Sequence, residues 1–223
     1  MFRLNLSIFD VTGPVMIGPS SSHTAGAARL AHVAAAIAPD GFCGVRFGLA
    51  GSFAKTGRGH GTDKALLAGA LGLTPDDTGI RDAYTLAESR GISYAFETIE
   101  LPDSHENSAR ITFLYENGET FFVEGSSIGG GRILVTNLNG LAAEFSAESP
   151  TLITMQYDRQ GVVSAITQLL AQQNINIGVM RVNRTARGDV ASTVIETDAP
   201  VPDEIVCALK RTPNIIRVCA VSV

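Results

Sequence analysis

The sequence has no basic run anywhere along its length. Its 17 lysines and arginines are outnumbered by 22 aspartates and glutamates, for a formal net charge of −5. That balance excludes nucleic acid as a partner, because binding a phosphate backbone needs clustered cations. Cysteine is scarce too: Cys43, Cys207 and Cys219 are scattered, odd in number and without metal-ligand spacing. They read as reduced, structural residues of a cytoplasmic protein, and no metal is expected on this chain. No uninterrupted apolar stretch is long enough to cross a bilayer, so no membrane partner is expected. No secretory leader is expected, since Asp10 breaks the first short apolar stretch and Pro14 follows. Core-forming residues are plentiful. With 45% hydrophobic and 17% charged residues, 223 residues suit one large or two small globular domains.

The most distinctive stretch is Gly18-Pro19-Ser20-Ser21-Ser22-His23-Thr24-Ala25-Gly26. A glycine-proline turn delivers three hydroxyls and an imidazole to a helix start. Beyond it Leu30, Val33, Ala34 and Ile37 recur at helical spacing until Pro39-Asp40-Gly41 ends the run. One serine suffices to cap a helix. Three followed by His and Thr also suit an anion pocket, where free N–H groups and the helix dipole favour a carboxylate or phosphate. Both readings stand at this level.

A short strand is expected within residues 1–9, and another over 44–53, where Val45, Phe47 and Leu49 alternate. The next stretch, 51–63, holds Gly51, Gly57, Gly59 and Gly61 with Lys55, Arg58 and His60, ahead of a helix over 64–73. It fits neither the phosphate-loop nor the dinucleotide pattern. It reads as a loop whose glycines allow close approach of a ligand, or as a plain flexible connection. A helix is expected from 74 to 91, with Ile80, Tyr84 and Ala87 inward. Strands follow at 93–100, through Ala109, Ile111, Phe113 and Tyr115, at 119–126 and at 132–138. Asn117-Gly118 marks a tight hairpin, and Ser127 to Gly131 a bend. This half reads as an α+β domain with a largely antiparallel sheet, spanning 1–140, followed by a linker over 141–150.

From 151 the expected order is strand 151–157, helix 161–173, strands 174–184 and 188–197, helix 202–211 and strand 214–223. That βαββαβ order is the ferredoxin-like motif. Tyr157-Asp158-Arg159-Gln160-Gly161-Val162-Val163, with Asn174-Ile175-Asn176-Ile177 after the helix, resembles an ACT domain. The resemblance implies small-molecule sensing, with Gly161, Asn174 and Ile175 as effector contacts, or homodimerisation alone. That family usually carries proline where Gln160 stands, which predicts a looser loop here.

Four motifs in order extend the resemblance over nearly the whole chain. They are Gly-Pro-Ser-Ser-Ser-His-Thr at 18–24, Thr-Gly-Arg-Gly-His-Gly-Thr-Asp at 56–63, His-Glu-Asn at 105–107 and Ser-Ile-Gly-Gly-Gly at 127–131. Together they resemble the β portion of iron–sulfur L-serine dehydratases, in the form where that portion is a separate β subunit. Arg58 stands where that family often has lysine. The first half is also similar to the allosteric substrate-binding domain of some phosphoglycerate dehydrogenases, which lack this histidine set.

The resemblance implies conversion of L-serine to pyruvate and ammonia, with a [4Fe–4S] cluster held by cysteines of a partner α subunit. Such a reaction must remove a weakly acidic α-proton and expel hydroxide, which a Lewis acid assists. Pyridoxal phosphate is the usual alternative electron sink. It is rejected here, because none of Lys55, Lys64 and Lys210 sits in a recognisable cofactor setting. The resemblance makes His60 or His23 the general base, imidazole being the side chain that titrates near neutrality. It makes Ser21, Ser22, Thr24, Ser52, His105, Asn107, Gly129 and Gly130 the substrate-binding set. His32, on the helix, reads as structural. The alternative class is a non-catalytic serine-sensing or scaffold subunit; the histidine motifs favour the enzyme.

Overall fold

A serine-rich turn that leads directly into a helix sets the geometry of the first half. The computed structural model describes residues 15–222, so the strand expected within residues 1–9 lies outside them. The chain divides into two compact units, Met1–Leu134 and Val135–Val223.

In the first unit, Ser20 caps a π-helical segment, Ser21–Gly26, by accepting the His23 N–H at 3.1 Å. The segment continues into α1, Ala27–Ile37. Ala38 then turns extended, at ψ 152°, because a residue ahead of proline is driven from the helical region. Strand β1, Gly44–Ala50, is followed by α2, Gly51–Thr56, a 3-10 turn, Gly57–His60, and α3, Thr62–Ala70. The stretch expected as a loop is therefore helical. Its glycines act at the joints instead: Gly51 at φ +55° turns the chain out of β1, and Gly61 at φ +70° separates the 3-10 turn from α3.

The helix expected from residue 74 starts later. Asp77 accepts the Gly79 N–H at 2.7 Å, closing a local turn, and only a 3-10 turn, Thr78–Asp82, and α4, Ala83–Ser89, follow. Strands β2, Ser93–Thr98, β3, Asn107–Leu114, and β4, Thr120–Gly129, complete the order β2-β1-β3-β4. β1 runs parallel to β2 and antiparallel to β3, placing Val45 opposite Phe113 and Phe47 opposite Ile111. All four are buried, each worth roughly 1.5–3 kcal/mol of apolar burial. α1 and α3 pack together so closely at Gly69 that a Cβ there would overlap the Ala28 carbonyl.

β5, Arg132–Leu138, crosses the division between the units and pairs with β6, Leu141–Phe145. Asn139 and Gly140, at φ +51° and +91°, make the two-residue turn. Part of the expected linker is thus a strand. Ser192 Oγ, at 2.6 Å, and Asn183 Nδ2, at 3.2 Å, both donate to the Ala142 carbonyl of β6.

The rest of the second unit follows the expected order: β7 Thr151–Tyr157, α5 Val162–Gln172, β8 Ile177–Arg184, β9 Val190–Thr197, α6 Asp203–Lys210 and β10 Ile215–Val221. The sheet order is β10-β7-β9-β8, all neighbours antiparallel. Leu152, Ile195 and Val218 of the sheet pack against Ile166 and Leu170 of α5 and Ile205 and Leu209 of α6. Among the described residues, no helix is long and apolar enough to cross a membrane.

Candidate active site

Three segments of the first unit meet at His23. Its Nδ1 lies 3.1 Å from Thr62 Oγ1 at the start of α3, and its Nε2 lies 3.2 Å from Ser52 Oγ on α2. One nitrogen of a neutral imidazole carries the proton, so one hydroxyl accepts from the ring and the other donates to it. The Phe53 ring meets His23 edge-on at 5.1 Å. The imidazole is buried, at 9% exposure. Burial, and secondarily the charge of nearby His60, hold its pKa below the ordinary 6.5, so His23 is neutral at physiological pH.

His60 lies over it, with ring centroids 4.8 Å apart, but its situation is the opposite. The ring is exposed, and Nδ1–H donates to the Thr56 carbonyl at 3.0 Å. With Nδ1 as the donor, Nε2 of neutral His60 holds the lone pair. Thr24 Oγ1 fixes the backbone of the turn by donating to the His60 carbonyl at 3.1 Å. Thr56 Oγ1 donates to the Ser52 carbonyl at 3.0 Å and lies 3.3 Å from Ser52 Oγ.

The loop before β3 reaches the same place. Ser52 N–H donates to the Glu106 carbonyl at 2.6 Å, and Gly51 backs onto that carbonyl, where a Cβ would overlap it. His105 and Asn107 flank this contact. Asn107 N–H donates to His105 Nδ1 at 3.2 Å, and Asn107 Oδ1 is buried without a protein partner among the described residues. Behind them Ser108 and Ser126 share a hydrogen bond of 2.7 Å in register across β3 and β4. The next residue, Ser127, is fully buried, and its Oγ has no protein partner among the described residues. It packs against Gly26, where any side chain would overlap it.

The structure therefore gathers His23, Thr24, Ser52 and His60 into one network and brings the loop of His105 and Asn107 against it. Ser21 and Ser22 sit half-buried on the π-helical segment, with their N–H groups ahead of its hydrogen-bond ladder. Gly129 and Gly130, at φ +97° and +61°, form the turn that ends β4. Sequence reasoning missed Thr56, Thr62, Ser108 and Ser126 as members. Thr56 and Thr62 lie inside a quoted motif, and the consecutive Ser126-Ser127 breaks the strand's alternation, which was the available signal. An exposed imidazole stacked over a buried one pinned by two hydroxyls leaves His60 Nε2, unpaired among the described residues, as the ring atom of the pair open to a ligand.

In the second unit, Gly161, at φ +87°, opens α5, and Asn174 and Ile175 close it. Asn174 N–H donates to Ala171 O and Ile175 N–H to Leu170 O, both at 3.0 Å, with Asn174 left-handed: a Schellman cap. The loop before α5 is fastened rather than loose. Asp158 accepts from Gly188 N–H at 3.0 Å and Arg184 Nη1 at 2.9 Å, while Arg159 Nη1 donates to the Gly188 carbonyl at 2.6 Å. The Gly188 bond, then Arg184, hold the Asp158 carboxyl below the usual range.

Comparison with known proteins agrees with this layout. Residues 7–137 match the family described as serine dehydratase beta chain, and residues 151–214 match the ACT domain. The L-serine dehydratase beta chain of Peptoniphilus asaccharolyticus is 42% identical over 204 residues, 91% of this chain and 92% of that protein. The probable L-serine dehydratase beta chain of Bacillus subtilis (strain 168) is 40% identical, over 97% of this chain and 98% of that protein. D-3-phosphoglycerate dehydrogenase of the same Bacillus subtilis strain is 27% identical over 70% of this chain but only 30% of its own length.

Proposed function

The chain belongs to the serine dehydratase beta chain family and carries an ACT domain; from that premise we propose that it supplies substrate-binding and acid–base residues to an L-serine ammonia-lyase. The reaction converts L-serine to pyruvate and ammonia, in the cytoplasm. A partner α subunit holds the [4Fe–4S] cluster. The residues described here do not suit cluster ligation: no trio of His, Cys, Asp and Glu is arranged for a metal ion. Cys43 Sγ–H donates to the Leu114 carbonyl, and burial pushes the Cys219 thiol up to about 11, which keeps it protonated. The Lewis-acid chemistry on the serine hydroxyl belongs to the partner's cluster.

The observation that carries the reading is the His60–His23 pair. His60 takes the α-proton on Nε2, its other nitrogen being committed to Thr56 O. His23 stays neutral beside it, so the protonated state of His60 meets no second full charge. Ser52 and Thr24 fix the two imidazoles and their turn. The N–H groups and hydroxyls of Ser21 and Ser22, without a partner among the described residues, suit the substrate carboxylate. His105, Asn107 and the Gly129-Gly130 turn form the remaining wall. The ACT domain mediates homodimerisation, with the two ends of α5 at Gly161 and Asn174-Ile175 as its effector contacts. We place the start of the ACT domain proper at residue 151, with β6 packed onto it as an added strand of the C-terminal unit.

Anaerobic mixing of this chain with its cluster-bearing partner tests the proposal. Pyruvate formation is expected from the mixture and none from this chain alone. Turnover by the isolated chain would refute the two-subunit reading.

A further inference from the structure

Residues of α2 and the turn after it line an open groove of about 440 Å³. That is within the range of small-ligand sites. Its floor is apolar, from Leu49, Phe53 and Phe96. Phe96 is held in place by stacking on Phe47, with centroids 4.9 Å apart. Two cations, Lys55 and Arg58, and two carboxylates, Asp63 and Glu97, line it. Among the described residues, no ion pair engages Lys55 or Glu97. Asp63 is oriented by the Tyr84 hydroxyl, which donates to its Oδ2 at 2.6 Å, and by Lys64 N–H on Oδ1 at 2.9 Å.

Equal numbers of opposite charges around an apolar floor match a zwitterion with a hydrophobic substituent. A dianion would meet the two carboxylates, and an uncharged apolar ligand would strip water from four ionised groups. We propose that this groove binds a free α-amino acid with an apolar side chain, its carboxylate on Lys55 and Arg58 and its ammonium facing Asp63 and Glu97. The floor residues take the side chain.

The groove is coupled to the histidines through Thr56. That residue lines the groove, accepts the His60 Nδ1–H on its carbonyl and bonds Ser52 through its hydroxyl. A ligand seated on the α2 segment therefore biases the orientation of the His60 imidazole. This regulatory role, though not the binding itself, rests on the function proposed above.

The test is an NMR titration of the full chain with L-leucine, glycine and 4-methylpentanoate, following the groove residues and the His60 ring. L-Leucine is expected to shift both sets saturably, with glycine and 4-methylpentanoate each at least about tenfold weaker, as the loss of one recognition element implies. Lys55→Met and Glu97→Gln, both at exposed positions, should each weaken L-leucine by about tenfold and leave the fold's spectrum unchanged. Absence of saturable shifts with L-leucine overturns the proposal, as does binding indifferent to both substitutions. Protection of the groove only by the α subunit also overturns it, and makes the groove an interface. The measurement needs no turnover, so failure here and failure of serine deamination are separate results.

Discussion

His60 and His23 sit ring over ring, yet only one of them can exchange a proton with a ligand freely. His23 has both nitrogens engaged and lies buried, whereas His60 keeps one nitrogen exposed. His60→Ala in the reconstituted complex should lower turnover by about two to four orders of magnitude, the usual contribution of acid–base catalysis. Subunit association and cluster absorbance should survive, since the exposed ring contributes little packing. If turnover stays near normal at saturating serine, the sensing or scaffold reading gains. The neutral His23 makes a second, separate prediction. Its folded pKa is depressed, so the unfolded chain binds the additional proton, and stability is full above about 6.5 and lost as pH falls below it. Denaturation midpoints should therefore drop as pH falls below about 6.5, with a shallower slope in His23→Gln. An identical slope in that variant would show that His23 is not the source.

At the scale of elements, the serine-rich turn depends on a residue that has no side chain. Gly26 ends the π-helical segment against the buried Ser127 hydroxyl. Gly26→Ala should cost about 1–3 kcal/mol through overpacking and displace His23 as well; calorimetry and turnover together check this. Ser127→Ala in the same background should recover part of the stability by removing the obstructing Oγ, and no recovery would refute the contact. The sequence showed this start and the stop at Pro39 because capping and proline chemistry are local. It misled at 51–63, where glycines suggested a loop. There α2 opens with Ser52 N–H on the Glu106 carbonyl, a contact between distant segments that composition does not encode. At 139–140 the same Asn-Gly pair that marks a hairpin at 117–118 makes another, joining β5 to β6, a strand within the segment expected as a linker.

For the molecule as a whole, β6 changes what counts as the C-terminal unit. It lies along β8 and β9, and its Ala142 carbonyl takes hydrogen bonds from Ser192 and Asn183. A fragment of residues 135–223 should resist urea better than one of 151–223, by about 2 kcal/mol for two such bonds. Equal stabilities would make 141–150 a mere tether. The ACT order was legible from residue 151 onward because each strand and helix there has its own periodicity. The candidate-site residues were legible as motifs but not as a network: Thr62 and Ser126 gain their contacts from folding, since nothing in a threonine's own neighbourhood marks it as a partner for an imidazole 39 residues away.

The close crossing of α1 and α3 also limits which substitutions this chain can accept. Thr62 and Gly69 lie on the same helix, about 10 Å apart along its axis, and Gly69 has room for nothing larger than hydrogen beside the Ala28 carbonyl. Any side chain there would lever the two helices apart and lengthen the Thr62–His23 hydrogen bond at the other end. A position without functional groups, remote from His23, thereby governs where that imidazole sits. Mutational scanning for serine deamination should find Gly69 as intolerant as His23, although no chemical argument about the reaction would single it out.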